Sequence, residues 1–172
     1  MEIHSLLAEL ASRRIYDYLS EPPVSGIVPR LYPPATEQQV AELARHAEQE
    51  LERGYRDFLL LTDGMEDCFP GMRLLGCRDR ADEGAAAARQ LLEILRESGT
   101  PADVGLPADV ELFPVAIDGD AAQGIFMFHL PGSVPERFWW VGEGDSMFFG
   151  NFAELLMYLI DFDSYSPRDS VA

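Results

Sequence analysis

Three segments typical of β-strands follow one another closely in the second half of the sequence, at 110–117, 124–130 and 137–143. The connections between them are short, at 118–123 and 131–136. Because a crossover between parallel strands takes about a dozen residues or more, these connections allow only antiparallel neighbours. The sequence therefore predicts an antiparallel meander as the centre of the fold.

Shorter strand segments and a set of amphipathic helices complete the predicted fold. Apolar residues recur at helical spacing in each helix. The further strands are 72–77 and 147–149, and the helices are 2–19, 36–53, 55–62, 82–98 and 151–160. We therefore predict an α+β fold in which an antiparallel sheet of about four to six strands carries helices mainly on one face.

Local signals mark several helix ends. Thr36 is a good N-cap with Gln39 in the capping-box position, and Asn151 can cap the last helix. Gly54 is predicted to break or bend the second helix, and Gly64 to end the third, because glycine adopts the left-handed cap conformation without steric cost.

Proline content suggests how the chain is divided. Residues 20–35 contain five prolines and are predicted to run as an extended linker. We therefore predict an N-terminal helix and linker over 1–32, a domain over 33–162, and a flexible tail over 163–172.

The charge of the chain limits the classes of partner. It carries 30 acidic residues against 13 lysines and arginines, a net charge of −17, and contains no lysine. Such a surface repels phosphates and anionic membranes and attracts basic surfaces. Nucleic-acid binding, which depends on clustered Lys and Arg, is disfavoured. General solubility is an alternative explanation of the charge.

The cysteines and the apolar runs bear on the compartment. Cys68 and Cys77 form no CxxC pair and no zinc-binding pattern, so we predict free thiols in a reducing compartment. The N-terminus carries Glu2 and Glu9 and does not have the pattern of a signal peptide. No apolar run approaches the ~20 residues that span a bilayer. These observations predict a cytoplasmic protein.

No motif typical of a catalytic, metal or cofactor site is found. His4, His46 and His129 are scattered over separate predicted elements without ligand spacing. The run 118–120 lacks the alternating oxygen ligands of a calcium loop and favours a hairpin turn. We predict no catalysis, metal or cofactor. The alternative is a small hydrolase with paired carboxylates, which would need convergent acids in a deep pocket.

The meander and its turns are the predicted partner-binding surface, through Asp118, Asp120, Trp139, Trp140, Glu143 and Asp145. Adjacent strand residues face opposite sides, so one tryptophan should enter the core and the other face outward or lie under a helix. An exposed tryptophan is a common interface anchor. The alternative is that neighbouring elements cover both.

Four segments, in this order, carry a family pattern. The first is 34–36 with the helix that follows it, and the second is a helix with Tyr55 and Phe58 that ends at Gly64. The third is 112–119, and the fourth is 140–143 followed by the helix that starts at Phe152. Together they resemble the SMI1/KNR4 (SUKH) superfamily over about residues 33–162. The family usually has Leu-Pro before the tyrosine, whereas this chain has Glu-Arg-Gly at 52–54, and the helix over 82–98 resembles an insertion.

The resemblance implies a non-enzymatic binding domain. Members of this superfamily are commonly immunity proteins of bacterial polymorphic-toxin systems, and fungal members are regulatory scaffolds. Together with the acidic charge, this predicts a protein partner, most concretely a basic toxin domain, possibly a nuclease, whose active site the chain occludes. A regulatory or scaffold protein that binds another partner is the alternative.

Overall fold

The computed structural model describes residues 2–20, 26–81 and 83–172. Over these residues the helices are α1 (Ile3–Ser20), α2 (Glu37–His46), α3 (Arg53–Leu59), α4 (Glu83–Glu97), α5 (Thr100–Asp103) and α6 (Phe152–Ile160). The strands are β1 (Arg30–Leu31), β2 (Met65–Phe69), β3 (Met72–Leu74), β4 (Phe113–Asp118), β5 (Gln123–Met127), β6 (Phe138–Gly142) and β7 (Asp145–Phe149). The predicted α+β class is confirmed.

The sheet is an antiparallel meander. Its strands lie side by side in chain order from β1 to β7, and each neighbouring pair is antiparallel. Over the described residues the sheet has 7 strands, slightly more than predicted. The sequence did not indicate β1 or β2. β2 is interrupted by a register shift, and Asp67 within it has a φ of 56°, so its side chains do not alternate regularly.

Each face of the sheet carries its own hydrophobic core. Helices α1, α2, α3 and α6 contribute buried residues to one core, together with Phe138 and Trp140 of β6. The other core lies beneath α4, where Leu91 and Leu95 pack with Trp139. The prediction that helices lie mainly on one face holds for four of the described helices.

The N-terminal helix is part of the first core. Leu6, Leu7 and Leu10 of α1 are at most 5% exposed. Arg14 extends from the same helix and donates from Nη2 to the Asp67 carboxylate at 3.0 Å. Part of the proline-rich linker predicted to follow α1, residues 21–25, lies outside the described residues.

The C-terminal segment lies along the sheet and the α5 region. The Phe148 amide donates to the Arg168 carbonyl at 2.8 Å, so the segment continues the sheet beside β7. Arg168 also pairs with Glu136 at 2.8 Å, and the Val171 amide donates to the Val104 carbonyl at 2.9 Å. The structure thus differs from the predicted flexible tail over 163–172, because these long-range contacts leave no local pattern in the sequence.

Gly54 has a different role from the predicted helix break. α2 ends at His46, and Glu48 turns the chain with a φ of 54°. Gly54 lies in the first turn of α3, where an added Cβ would come within 2.9 Å of the Phe152 Cβ. Glycine therefore allows α3 and α6 to approach closely.

Alkaline pH is expected to destabilise the fold because two buried groups must keep their protons. Burial raises the pKa of the Cys68 thiol from 9.0 to about 12, and burial also raises the pKa of the Tyr55 phenol from 10.0 to about 12. As pH rises through this window the unfolded chain loses these protons before the folded one, so the free energy of unfolding falls. Urea denaturation from about pH 8 to about pH 11 should show the decline. Burial also raises the pKa of the Cys77 thiol from 9.0 to about 11, so Cys68→Ala alone should make the decline shallower, and Cys68→Ala with Cys77→Ala should move its onset toward pH 10. An unchanged onset in the double variant would contradict the assignment to the thiols.

Candidate binding site at the hairpin end of the sheet

Alternate turns of the meander meet at one end of the sheet, which we call the hairpin end. It contains the β2–β3, β4–β5 and β6–β7 turns, because successive antiparallel strands reverse direction. The first two turns are joined directly by a hydrogen bond from the Gly119 amide to the Gly71 carbonyl at 2.9 Å. The predicted acidic residues all lie in or beside the last two of these turns.

Asp118 and Asp120 differ in what their side chains do. The half-buried Asp118 carboxylate accepts hydrogen bonds from the amides of Ala122 at 2.8 Å and Gln123 at 3.2 Å. It therefore stabilises its own turn, as aspartate commonly does. Asp120 is exposed at the tip of that turn. A charge reversal at Asp118 would change the turn as well as the surface, so Asp120 is the cleaner position to probe.

Glu143 and Asp145 are exposed in and beside the β6–β7 turn. Glu143 has a φ of 53° and Gly144 a φ of 85°, the pair of positive values that a two-residue type I′ hairpin turn requires. Asn or Gly is preferred at the first of these positions, and a glutamate there is strained. A strained residue that retains a charge at a surface tip is a reason to look for a function of that charge.

Replacing Glu143 with asparagine is expected to stabilise the protein. Asparagine tolerates the left-handed conformation better, so the free energy of unfolding should rise by roughly 0.5 to 1 kcal/mol. Asp145→Asn removes the same charge from a position without a positive φ and should change stability by less than about 0.5 kcal/mol. Urea denaturation of both variants makes the comparison, and an equal gain in the two would attribute the effect to charge alone.

Both tryptophans are buried, so of the two alternatives left open by the sequence the structure shows the one in which neighbouring elements cover both, and neither is an exposed anchor. Trp139 is 0% exposed and Trp140 is 4% exposed. They do face opposite sides of β6 as predicted, but each side is covered by helices. The Trp139 indole N–H donates to Ser146 Oγ at 3.0 Å, and the Trp140 indole N–H donates to Gln123 Oε1 at 3.0 Å.

Trp140 nevertheless reaches a groove at the hairpin end. It contributes one wall of an aromatic cluster that we call the aromatic box, formed by Phe69, Trp140, Tyr158 and Phe162. The members come from β2, β6, α6 and the 3₁₀-helix Phe162–Ser164 that follows α6. The box therefore combines residues that are distant in the sequence.

The four rings contact one another in a closed circuit. Trp140 meets Phe69 edge to face, with centroids 5.1 Å apart and planes at 88°. It meets Tyr158 in the same way at 6.0 Å and 87°. Phe162 closes the circuit, at 5.2 Å from Tyr158 and 5.7 Å from Phe69. Edge-to-face packing holds the rings at fixed angles, so the cluster presents both ring faces and ring edges to the groove.

The groove beside the aromatic box has a volume of about 180 Å³ and an acidic rim. Glu143 and Asp145 line it with the aromatic rings, and none of its described lining residues is basic. Phe162 is 51% exposed and is flanked by the exposed Asp161 and Asp163. A groove with aromatic walls and carboxylates at its mouth suits an organic cation.

The predicted acids do not converge on one cavity. Asp118 and Gly119 line a different groove of about 370 Å³, which also contacts Ala87 of α4. Only Glu143 and Asp145 open onto the aromatic box. Sequence reasoning missed Phe69, Tyr158 and Phe162, although the acidic flanks of Phe162 are a local signal for an exposed aromatic residue.

The residues that carry the family resemblance form the core where α3 and α6 meet the sheet. Tyr55, Phe58 and Phe152 are each 0% exposed, and their ring centroids lie 5.1 to 6.1 Å apart. The Tyr55 hydroxyl donates to the Leu75 carbonyl at 2.6 Å. Gly64 has a φ of 100° beside the backbone of β3. Their role in the structure is packing and chain direction.

His4 lies in α1, His46 ends α2, and His129 follows β5. Among the described residues, no group of three or more His, Cys, Asp and Glu side chains is placed to hold a metal ion. No helix over residues 2–20, 26–81 and 83–172 has the length and apolar character to cross a membrane.

The comparisons with known proteins leave the resemblance as it stands. No protein-family model matches the chain, and no curated protein matches it significantly.

Proposed function

We propose that this chain is a non-enzymatic binding protein that presents its hairpin end to a basic surface of another protein. Most concretely, it is an immunity protein that occludes the active site of a bacterial toxin. The observation that carries the proposal is the aromatic box with Glu143 and Asp145 at its rim. Such a surface combines apolar area for contact with charge that selects a cationic partner.

The overall charge supports the same class of partner. A net charge of −17 steers a basic protein toward the chain and raises the association rate at low salt. A toxin that cleaves nucleic acid needs a basic cleft to hold its phosphates, so it is the toxin class that this charge fits best. Occlusion requires no chemistry from the chain itself.

The SUKH resemblance supports the immunity role, because many members of that superfamily neutralise toxins. The antiparallel α+β fold is compatible with it. The free Cys68 and Cys77 support a reducing compartment, and we propose the cytoplasm, where an immunity protein meets its toxin.

Growth rescue tests the proposal directly. The C-terminal domain encoded by the gene next to this one is expressed in a bacterial host with and without the chain. We expect the domain to arrest growth and the chain to restore it. A neighbouring domain without toxicity, or toxicity that the chain leaves unchanged, would contradict the immunity role.

A pair of matched double variants locates the surface in the same assay. Glu143→Gln with Asp145→Asn removes both rim charges, whereas Glu93→Gln with Glu97→Gln removes the same charge from exposed positions on α4. Rescue should weaken for the rim variant and persist for the α4 variant. Equal loss in both would assign the effect to net charge rather than to the hairpin end.

A further inference from the structure

We propose that the aromatic box receives a single arginine side chain of the partner. The inference rests on the proposed function, since it names the group by which a basic partner is held. It commits the groove to one occupant, a guanidinium group on an aliphatic stem, among the cations that an acidic surface could attract.

The walls of the groove fit the flat faces of that group. Phe69 and Tyr158 each lie at nearly a right angle to Trp140, at 88° and 87°. A planar cation that lies over one ring therefore meets the edge of the next. Aromatic faces attract cations through their negative quadrupole. Because Trp140 is 4% exposed, the ring surface open to a cation comes from Phe69, Tyr158 and Phe162.

The rim distinguishes a cation from other occupants. Glu143 and Asp145 stand at the groove, and Asp161 and Asp163 flank Phe162. An anion would be repelled by these carboxylates, and an apolar side chain would bury them without a partner. A guanidinium group fits both the aromatic walls and the acidic rim, because it stacks on rings and donates several N–H hydrogen bonds to a carboxylate.

Arginine fits better than lysine for the same reasons. The lysine ammonium is a compact and strongly hydrated charge, so it loses more on leaving water for an aromatic wall. The groove volume of about 180 Å³ admits one such side chain rather than a folded peptide segment. The remainder of the partner would then contact the acidic turns around it.

The two tryptophans allow a direct measurement. The chain contains 2 Trp residues, so the ¹⁵N-labelled protein has two indole N–H resonances. Trp140 lines the groove, whereas Trp139 lies in the core on the opposite face of the sheet and is hydrogen-bonded to Ser146. Trp139 is therefore an internal control for non-specific effects and for the integrity of the fold.

The protein is titrated with N-acetyl-arginine amide, and in parallel with the lysine analogue and the uncharged citrulline analogue. We expect the Trp140 resonance to move saturably with the arginine probe, in the millimolar range, while Trp139 stays in place. Lysine should bind roughly threefold or more weakly and citrulline roughly tenfold or more weakly. Equal shifts with citrulline, no shift at Trp140, or equal shifts at both tryptophans would overturn the proposal.

Variants separate the box from its rim. Phe162→Ala removes an exposed ring, and Glu143→Gln with Asp145→Asn removes the rim charges. Each should weaken arginine binding by about threefold to tenfold, and Phe162→Ala should leave the Trp139 resonance unchanged. Unchanged arginine affinity in both variants would contradict the assignment.

The outcome is separable from that of the proposed function. Rim variants that lose growth rescue while the arginine probe fails to move Trp140 would leave a partner surface at the hairpin end but refute the arginine receptor. Arginine binding without any growth rescue would support the receptor and refute the immunity role.

Discussion

Gly64→Ala is expected to lower the free energy of unfolding by about 3 kcal/mol or more. Gly64 has a φ of 100°, and a Cβ there would lie 2.9 Å from the Leu74 carbonyl oxygen and 3.1 Å from the Gly76 nitrogen. Both neighbours are backbone atoms beside β3, so relief of the clash requires a shift of the sheet itself. The conformational strain and the overlap therefore act together.

Gly132→Ala provides the control for that prediction. Gly132 also has a positive φ, 78°, but an added Cβ would meet nothing within 4 Å. Its substitution should cost only the backbone strain, about 1 kcal/mol. Urea denaturation followed by tryptophan fluorescence compares the two variants. Equal losses would mean that the close approach of Gly64 to β3 does not exist in the folded protein.

Leu10→Ala is expected to lower the free energy of unfolding by about 2 to 4 kcal/mol. Leu10 is 0% exposed and belongs to the core that α1 shares with α6 and the sheet. Its truncation removes transfer free energy and leaves a cavity in a packed region. The loss would show that α1 is integral to the domain, although the sequence led us to separate residues 1–32 from it.

Leu19→Ala tests the same helix at a position outside the core. Leu19 is 77% exposed, so its truncation should change stability by less than about 0.5 kcal/mol. The same denaturation measurement applies. A small effect at Leu10, similar to that at Leu19, would contradict the packing of α1 on the sheet.

The parts of the fold that could be predicted are those encoded by neighbouring residues. The Thr36 capping box is present, with the Gln39 amide donating to Thr36 Oγ1 at 3.1 Å. Asn151 caps α6 by accepting from the Glu154 amide at 2.9 Å. The antiparallel order from β4 to β7 follows from the short connections between those strands, whereas β1–β2 and β3–β4 pair across segments that contain helices. For the two caps and for β4 to β7, the physical cause lies within a few residues of the effect.

The parts that could not be predicted depend on contacts distant in sequence. β2 lacks regular alternation because Asp67 turns inward to meet Arg14, which is 53 residues away in the chain. Whether Trp140 is covered depends on α6 and the segment after it. The aromatic box combines residues from 69 to 162, so no local pattern reports it.

Only some of the residues of the candidate site could thus be predicted from the sequence. The charges of Glu143 and Asp145 could be identified from composition and turn chemistry, and both line the groove. Of the four rings, Trp140 was among the predicted partner-binding residues, whereas Phe69, Tyr158 and Phe162 lie in segments for which only core packing or no element was predicted. Asp118 was grouped with the acids of the surface, but its carboxylate stabilises its own turn.

The association rate constant between this chain and the C-terminal domain encoded by the neighbouring gene, measured at low and high salt, tests the proposed binding surface most directly. We expect Glu143→Gln with Asp145→Asn to slow association by about threefold to tenfold at low salt, with a smaller difference at high salt. Glu93→Gln with Glu97→Gln should stay within about twofold of the unmodified chain. Equal slowing by the two double variants, or no slowing by the rim variant, would contradict the claim that the hairpin end binds a basic partner.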